Sequence, residues 1–326
     1  MALTDTLPRT AAHKPALAAF AAVAAAWVFV LVALGAFTTS IGAGMAFPDW
    51  PLSNGSLNPS GWLSNLSMFA EHSHRLSAII MGILTAVLAV WLWATEARRW
   101  LRKLSLCAFA LVVAQGVVGG LRVLFDHVQL KELETSLGRV FAMLHACLAQ
   151  ALACVLIAVA VSCTRAWIGR RVPVGNGVER AGTFCVKMLF LQLAIAAVMR
   201  HSFAGLAIPT FPWSTPGGAI LPAVWNFRVG INFAHRVMAA VIAVSVVVFA
   251  VAIWRDRGSP LPMRAGACVL VSLVAFQILL GAAVIRTQRN PLVTTGHVLV
   301  GALTLVTAFW LTWVAHRDAV EDGRLL

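Results

Sequence analysis

Four histidines of this chain occupy matching places in the sequence. Each lies at the start of a long apolar segment or about two turns into it: His74, His145, His235 and His297. A lone histidine there can serve as a hydrogen bond between helices, but ionisable residues in membrane-length segments point to function by default. Two histidines at matched depth in each half predict two pairs of facing imidazoles, which suit the axial positions of a haem iron. Zinc would require three or four ligands.

The two predicted pairs differ in one neighbouring residue. Glu71 precedes His74 by three residues and therefore lies on the same helix face. The matching residue before His235 is Asn232. The carboxylate could simply stabilise a helix N-terminus, or it could accept a proton or stabilise a cationic carbon beside a haem. The asymmetry predicts a reaction site in the first half, with Glu71 as its catalytic residue, and a resident electron-carrying haem in the second.

An arginine follows the first histidine of each pair, at Arg75 and Arg236. Each guanidinium could bind a haem propionate, for which its planar fork is suited. Each could instead anchor the helix end by reaching the lipid headgroups. The repetition favours the propionate.

Other residues near these segments are weaker candidates. Three glycines either let a flat ring approach a helix backbone or serve ordinary helix packing: Gly119, Gly120 and Gly281. The sequence predicts that His72 lies in the outer loop or at the membrane interface. It predicts solvated surface positions for three further histidines, two in outer loops and one at the inner end: His127, His201 and His316.

The elements that must position these residues are eight apolar segments. The 326 residues are 60% hydrophobic and 11% charged, far below the roughly one quarter of charged residues in soluble domains. Apolar runs of about 20 residues predict transmembrane helices, which satisfy their own backbone hydrogen bonds in lipid. The predicted spans are 15–40, 73–95, 104–122, 137–162, 181–200, 229–254, 263–285 and 292–315.

The net charge of +13 lies in short loops between these spans. That distribution is a topology signal, so nucleic acid is excluded and membrane lipid is the expected surrounding. The side richer in Lys and Arg should be cytoplasmic, which places both termini inside. The chain is therefore predicted to be a multi-pass protein of the cell inner membrane, with its histidines toward the outer side.

An internal repeat divides the chain. EHSHR at 71–75 aligns with NFAHR at 232–236, and QGVVGG at 115–120 aligns with QILLGA at 277–282. Four spans separate the copies, so the copies have the same orientation. The predicted fold is an all-α membrane protein of two pseudo-symmetric four-helix bundles, an N-terminal bundle at 1–166 and a C-terminal bundle at 167–326.

With these residues the chain resembles the haem A synthase family. The resemblance covers nearly the whole chain and includes FPDWPL at 47–52, the motif Glu71-x-x-His74-Arg75 and the single histidines of the later spans. It implies an oxidoreductase that converts the C8 methyl of haem O to a formyl group. Two successive hydroxylations with oxygen from water, followed by dehydration, give haem A for cytochrome oxidases.

The resemblance also implies roles for individual residues and partners. The substrate haem O would lie between His74 and His145, haem b between His235 and His297, and Glu71 would be essential. Haem O synthase would supply the substrate, and cytochrome oxidase assembly would use the product. The resemblance does not identify the electron acceptor, and it is compatible with a homo-oligomer.

One departure from the family concerns cysteine. Many bacterial members carry a Cys pair in the first outer loop, near the position of Ser53. This chain has six Cys, none in the predicted outer loops and none in a C-x-x-C motif. A redox role for loop cysteines is therefore excluded, and the electron route is left open.

Two other functions compete on the same residues. A quinol-linked di-haem cytochrome b explains four histidines equally well, but it gives no reason for Glu71 in one half and Asn232 in the other. A haem transporter would fit the repeat. However, transporters usually show broken helices at the midplane, whereas the polar residues here cluster at the outer side.

Overall fold

Long α-helices make up most of the molecule. The computed structural model describes residues 10–324, and within that part eight helices are long and apolar enough to cross a membrane. The prediction of an all-α protein with eight membrane spans is confirmed. The eight helices are α1 Pro15–Ser40, α2 Leu66–Thr95, α3 Arg99–Leu124, α4 Leu137–Ser162, α6 Asn176–His201, α7 Phe227–Arg255, α8 Leu261–Arg286 and α9 Pro291–Ala315.

The remaining elements are short. Helices α5, Arg165–Gly169, and α10, Arg317–Glu321, follow α4 and α9. Between α3 and α4, strands β1 Gln129–Leu130 and β2 Thr135–Ser136 pair antiparallel. Single 3₁₀ turns lie at Lys131–Leu133 and Ala204–Leu206.

Helix α2 begins earlier than the sequence predicted. It starts at Leu66 rather than at 73 because the Asn65 side chain accepts hydrogen bonds from the N–H groups of Ser67 and Met68, a standard N-cap. Glu71 therefore lies more than one turn inside the helix. The interpretation of Glu71 as a helix cap is wrong.

The long helices pack in two sets. In the first half, α1 packs on α2, α2 on α3, α3 on α4, and α4 back on α1. In the second half, α6 packs on α7, α7 on α8, α8 on α9, and α9 back on α6. Between the halves, α1 contacts α9, and α4 contacts both α6 and α9. We call the end that carries the loops 41–65, 125–136, 202–226 and 287–290 the histidine end.

An ion cluster joins the two halves at the opposite end. Arg98 donates to both oxygens of Glu96, at 3.0 and 3.1 Å, and to Glu321 at 3.1 Å. Glu321 also accepts from the indole N–H of Trp167. Burial acts to raise the pKa of Glu96, but the hydrogen bonds from Arg98 outweigh it and hold that pKa below its usual value.

We expect Glu96→Gln to lower the free energy of unfolding by about 1–3 kcal/mol near neutral pH, because it breaks a buried charged hydrogen bond. The lowered pKa means that the stabilisation is complete above the unfolded value of about 4.3 and is lost as the pH falls through the folded value. The melting temperature in detergent, measured from high to low pH, should therefore fall less steeply in Glu96→Gln than in the wild type. Asp322→Asn, which removes the exposed pair with Arg324, is the control and should change little. Equal acid slopes in the wild type and Glu96→Gln would contradict this account.

Candidate functional site

Two pairs of imidazoles face each other near the histidine end. His74 of α2 and His145 of α4 have ring centroids 6.4 Å apart and an interplanar angle of 81°. His235 of α7 and His297 of α9 have centroids 6.5 Å apart and an angle of 63°. The structure therefore brings together, two by two, the four histidines that the sequence singled out. The near-equal separations mean that each half holds its pair in the same way.

The spacing of each pair suits one metal ion held from opposite sides. Metal–imidazole bonds are about 2.0–2.1 Å in zinc sites, so the centroids of two rings that clasp one ion lie on the order of 6 Å apart. Within residues 10–324, no three His, Cys, Asp or Glu side chains are grouped to hold a metal ion. Each pair thus offers two protein ligands, which is the number that a haem iron needs from the protein when the porphyrin supplies the rest.

Three glycines make room for the imidazole rings. A Cβ added at Gly35 would lie 2.9 Å from Cε1 of His74. At Gly119 it would lie 3.2 Å from Cε1 of His145, and at Gly281 it would lie 3.3 Å from Cε1 of His297. The sequence missed Gly35 and assigned the other two to a flat ring or to helix packing, whereas they contact the histidines themselves.

Gly120 differs from these three glycines. A Cβ at this position would lie 2.4 Å from the ring of Trp50. The indole comes from the first loop, so Gly120 admits a loop side chain rather than a ligand.

Three glutamines lie beside the histidines. Gln115 donates to the carbonyl of His145 and Gln192 to the carbonyl of His235, each at 3.0 Å, while the amide of Gln277 lies 3.4 Å from Nε2 of His297. Gln192 was not singled out by the sequence. The Nδ1 atoms of all four histidines are fully buried without a hydrogen-bond partner in the described chain. Metal-bound imidazoles usually donate this N–H to an acceptor, so the fit to a haem rests on spacing and ligand number.

Glu71 fixes the first loop to α2. Its Oε2 accepts from the N–H groups of Ala46 and Phe47, at 2.7 and 3.2 Å. Its Oε1 accepts from Nε and Nη2 of Arg75, at 3.2 and 2.6 Å. Glu71 is 5% exposed, and four N–H donors hold its carboxylate in one position.

Arg75 donates hydrogen bonds to the same loop. Besides Glu71 it donates to the carbonyls of Asp49, Leu52 and Phe47, at 2.9, 2.6 and 3.3 Å. Its guanidinium therefore organises the segment 47–52 from one side. Neither of the sequence-based roles for this residue, propionate partner or helix-end anchor, anticipated these contacts.

The second half repeats this arrangement with the opposite hydrogen-bond polarity. Asn232 donates to the carbonyls of Ala204 and Gly205, at 2.9 and 3.2 Å, and accepts from Nε of Arg236 at 3.1 Å. Arg236 also donates to the carbonyl of Ile208 at 2.8 Å. The first loop presents N–H groups and meets a carboxylate, whereas the third loop presents carbonyls and meets an amide. The difference between Glu71 and Asn232 therefore has a structural reason.

Two further histidines lie elsewhere than predicted. His72 is inside α2 and 3% exposed; its Nδ1 lies 3.0 Å from Oγ of Ser53, and its ring meets Trp62 edge-on at 4.8 Å. His72 does not lie in the outer loop, which was one of the two predicted places, because α2 begins before it and the first loop folds over it. His201 is the last residue of α6 and partly buried, not a loop residue. His127 is exposed in a loop, as predicted.

Comparison with known proteins finds one matching family and several similar proteins that share one name. The COX15-CtaA family model, described as "Cytochrome oxidase assembly protein", matches residues 18–309. A protein of Geobacillus kaustophilus named "Heme A synthase" is 27% identical over 83% of this chain and 82% of its own. Proteins of the same name from Alkalihalophilus pseudofirmus (24%, covering 90% and 95%) and Symbiobacterium thermophilum (28%, covering 87% and 88%) are also similar.

We expect Glu71→Gln to loosen the first loop, because it removes the charge that Arg75 and two backbone N–H groups contact. Amide hydrogen exchange at Ala46 and Phe47 should rise by about 10-fold or more, the equivalent of one charged hydrogen bond. Hydrogen-exchange mass spectrometry of the protein in lipid nanodiscs measures this. Asn232→Ala is the matched control and should accelerate exchange in 204–208 instead. Unchanged exchange at 46–47 in Glu71→Gln would show that the carboxylate does not anchor the loop.

Proposed function

This chain belongs to the COX15-CtaA family of cytochrome oxidase assembly proteins, and on that premise we propose that it is a haem A synthase. The reaction oxidises the C8 methyl of haem O to a formyl group. Each hydroxylation adds one water oxygen to the methyl carbon and releases two electrons and two protons; the resulting gem-diol loses water. The observation that carries the proposal is the presence of two imidazole pairs, at 6.4 and 6.5 Å, in one membrane chain. The names of the similar proteins support it.

The two halves have different tasks in this proposal. Residues 1–166 form an N-terminal four-helix bundle that binds the substrate haem O between His74 and His145. Residues 167–326 form a pseudo-symmetric C-terminal bundle that holds haem b between His235 and His297, where it supplies one-electron transfer when bound. The closed set of helix contacts within each half supports this division.

Glu71 is the catalytic residue in this proposal and acts through its charge. It precedes His74 by one helical turn, and both of its oxygens already accept hydrogen bonds. A carboxylate that is fixed in advance stabilises positive charge on a reacting carbon without reorganisation. These contacts favour stabilisation of a cationic methyl carbon over proton acceptance.

The proposed setting is the cell inner membrane, with the histidine end toward the outer side and the opposite end cytoplasmic. The two termini, predicted to be cytoplasmic, lie outside the described residues. The basic residues of the opposite end support this orientation, since Arg98, Arg99, Arg102 and Lys103 follow one another at the α2–α3 connection. Haem O synthase would deliver the substrate, cytochrome oxidase assembly would use the product, and the chain could associate with copies of itself.

One observation favours a second candidate, a quinol-linked di-haem cytochrome b. Because the difference between Glu71 and Asn232 matches the groups that the two loops present, the asymmetry alone does not require chemistry in the first half. Such a cytochrome would contain two haem B per chain and no haem A or haem O. A transporter has less support, because α2, α4, α7 and α9 each run unbroken past their histidines, whereas transporter sites usually lie at discontinuous helices.

We expect Glu71→Gln to reduce conversion of haem O by about 100-fold, the scale of a lost electrostatic stabiliser, and to leave the second-half haem bound. The protein is co-expressed with a haem O synthase, and its haems are extracted and separated by chromatography. Glu132→Gln, which neutralises an exposed carboxylate at the same end, is the control and should form haem A normally. Normal haem A in Glu71→Gln refutes the catalytic role; haem B alone at two per wild-type chain indicates the cytochrome.

Replacing one histidine of each pair should separate the two sites. His297→Ala should lose the resident haem b because one of the two histidines that would hold it is missing, while haem O still binds the first pair. His145→Ala should show the converse. Reduced-minus-oxidised absorbance spectra together with extracted haem content measure both variants. Loss of both haems in both variants would contradict two independent sites.

A further inference from the structure

Arg122 is a partly buried arginine whose hydrogen-bond donors are not used. It lies in the last turn of α3 at the histidine end. Its guanidinium rests against the backbone of the first loop, where a Cβ added at Gly44 would come within 2.0 Å of Nη2. Its side chain makes no hydrogen bond and no ion pair with any of the described residues 10–324.

The acids near Arg122 are engaged with other groups. Glu71 pairs with Arg75, and Oδ1 of Asp126 accepts from Ser136 at 3.1 Å. Neither of these carboxylates binds Arg122. The guanidinium of Arg122 is partly buried and binds neither acid, so its planar donors are available to a carboxylate from a ligand.

The position of Arg122 indicates where that carboxylate would lie. Arg122 lies one turn beyond Gly119 on the same face of α3, and a Cβ added at Gly119 would lie 3.2 Å from Cε1 of His145, whose ring faces that of His74. A ligand held between these two rings would therefore lie within reach of an arginine fork, which matches the geometry of a carboxylate.

The second half has no equivalent of this arginine. In the repeat, Gln115 aligns with Gln277, so Val284 takes the place of Arg122. The arginine in the last turn of α8, Arg286, is exposed. The matching position beside the second imidazole pair is thus apolar, and Arg200, the other arginine of that region, donates to the carbonyl of Ala36 and to Oγ of Ser40.

We propose that Arg122 binds a carboxylate of the ligand held between His74 and His145. On the proposed function, which this inference deepens, the carboxylate is a propionate of haem O. The contact would orient the ligand held by the two histidines, so Arg122 is a positioning residue for the methyl group that reacts. Arg75, whose donors are spent on Glu71 and loop carbonyls, does not take this role.

The test compares iron protoporphyrin IX with its dimethyl ester, which lacks free carboxylates. Each is titrated into the full-length protein in detergent, and the bis-imidazole absorbance spectrum is followed, with His74→Ala giving the background of the second pair. The wild type should bind the acid about 10- to 100-fold more tightly than the ester, the range of one charged hydrogen bond. Arg122→Gln should bind acid and ester equally. Arg286→Gln, which removes the same charge from the matching turn of α8, should behave as the wild type.

A second variant moves the guanidinium without removing its charge. Gly44→Ala places a Cβ where Arg122 now lies, so it should also reduce the preference for the acid, and it serves as the test if Arg122→Gln does not fold. Equal affinity of the wild type for acid and ester, with the bis-imidazole spectrum intact, overturns the role of Arg122 alone. The spectrum of His74→Ala is subtracted from that of the wild type. If the difference shows no bis-imidazole absorbance, the proposed first-half haem site is overturned as well.

Discussion

The absence of water around the helices governs the whole arrangement. Helices in lipid bind their own backbone groups, so within the spans only side chains can build a site. The two histidine pairs come from α2 and α4 and from α7 and α9. In each set of four helices these are opposite rather than neighbouring members, so the imidazoles meet across the interior. The packing of four helices thus determines the ring separation, and its repetition gives two nearly equal values.

Close approach between helices makes this packing compatible with large rings. Gly35, Gly119 and Gly281 stand where a Cβ would press on a histidine, and the imidazole edges occupy the space that the missing side chains leave. A ring that is held against a helix backbone on one side retains its free side for a partner across the bundle. The glycines therefore position the histidine rings.

The loops at the histidine end depend on one residue pair per half. Glu71 with Arg75, and Asn232 with Arg236, each join a helix to the loop that precedes it by about 25 residues. In both halves the arginine donates hydrogen bonds to loop carbonyls. The residue that pairs with it is a carboxylate where the loop presents N–H groups and an amide where the loop presents carbonyls. In the first half this choice leaves a negative charge beside an imidazole pair. Glu71 can therefore serve both the loop and the proposed reaction, because the contacts that anchor the loop also fix the position of its carboxylate.

The long helices and the pairing of the histidines were determined by the sequence alone. Apolar runs of membrane length admit only helices, and the observed α1 and α4 have the predicted bounds of 15–40 and 137–162. The internal repeat and the spacing of the histidines sufficed to predict which imidazoles would meet, because a helix rises by a constant amount per residue.

Only the tertiary structure decided which partner each polar side chain takes. The burial of His72, the engagement of Arg75, the contact of Gly35 with His74 and the free donors of Arg122 all arise between a helix and a loop or helix distant in sequence. Local patterns encode how a segment folds against itself and which face is apolar. They do not encode which backbone N–H or carbonyl a folded loop will present to a given side chain, because that depends on the path of the loop after the helices have packed.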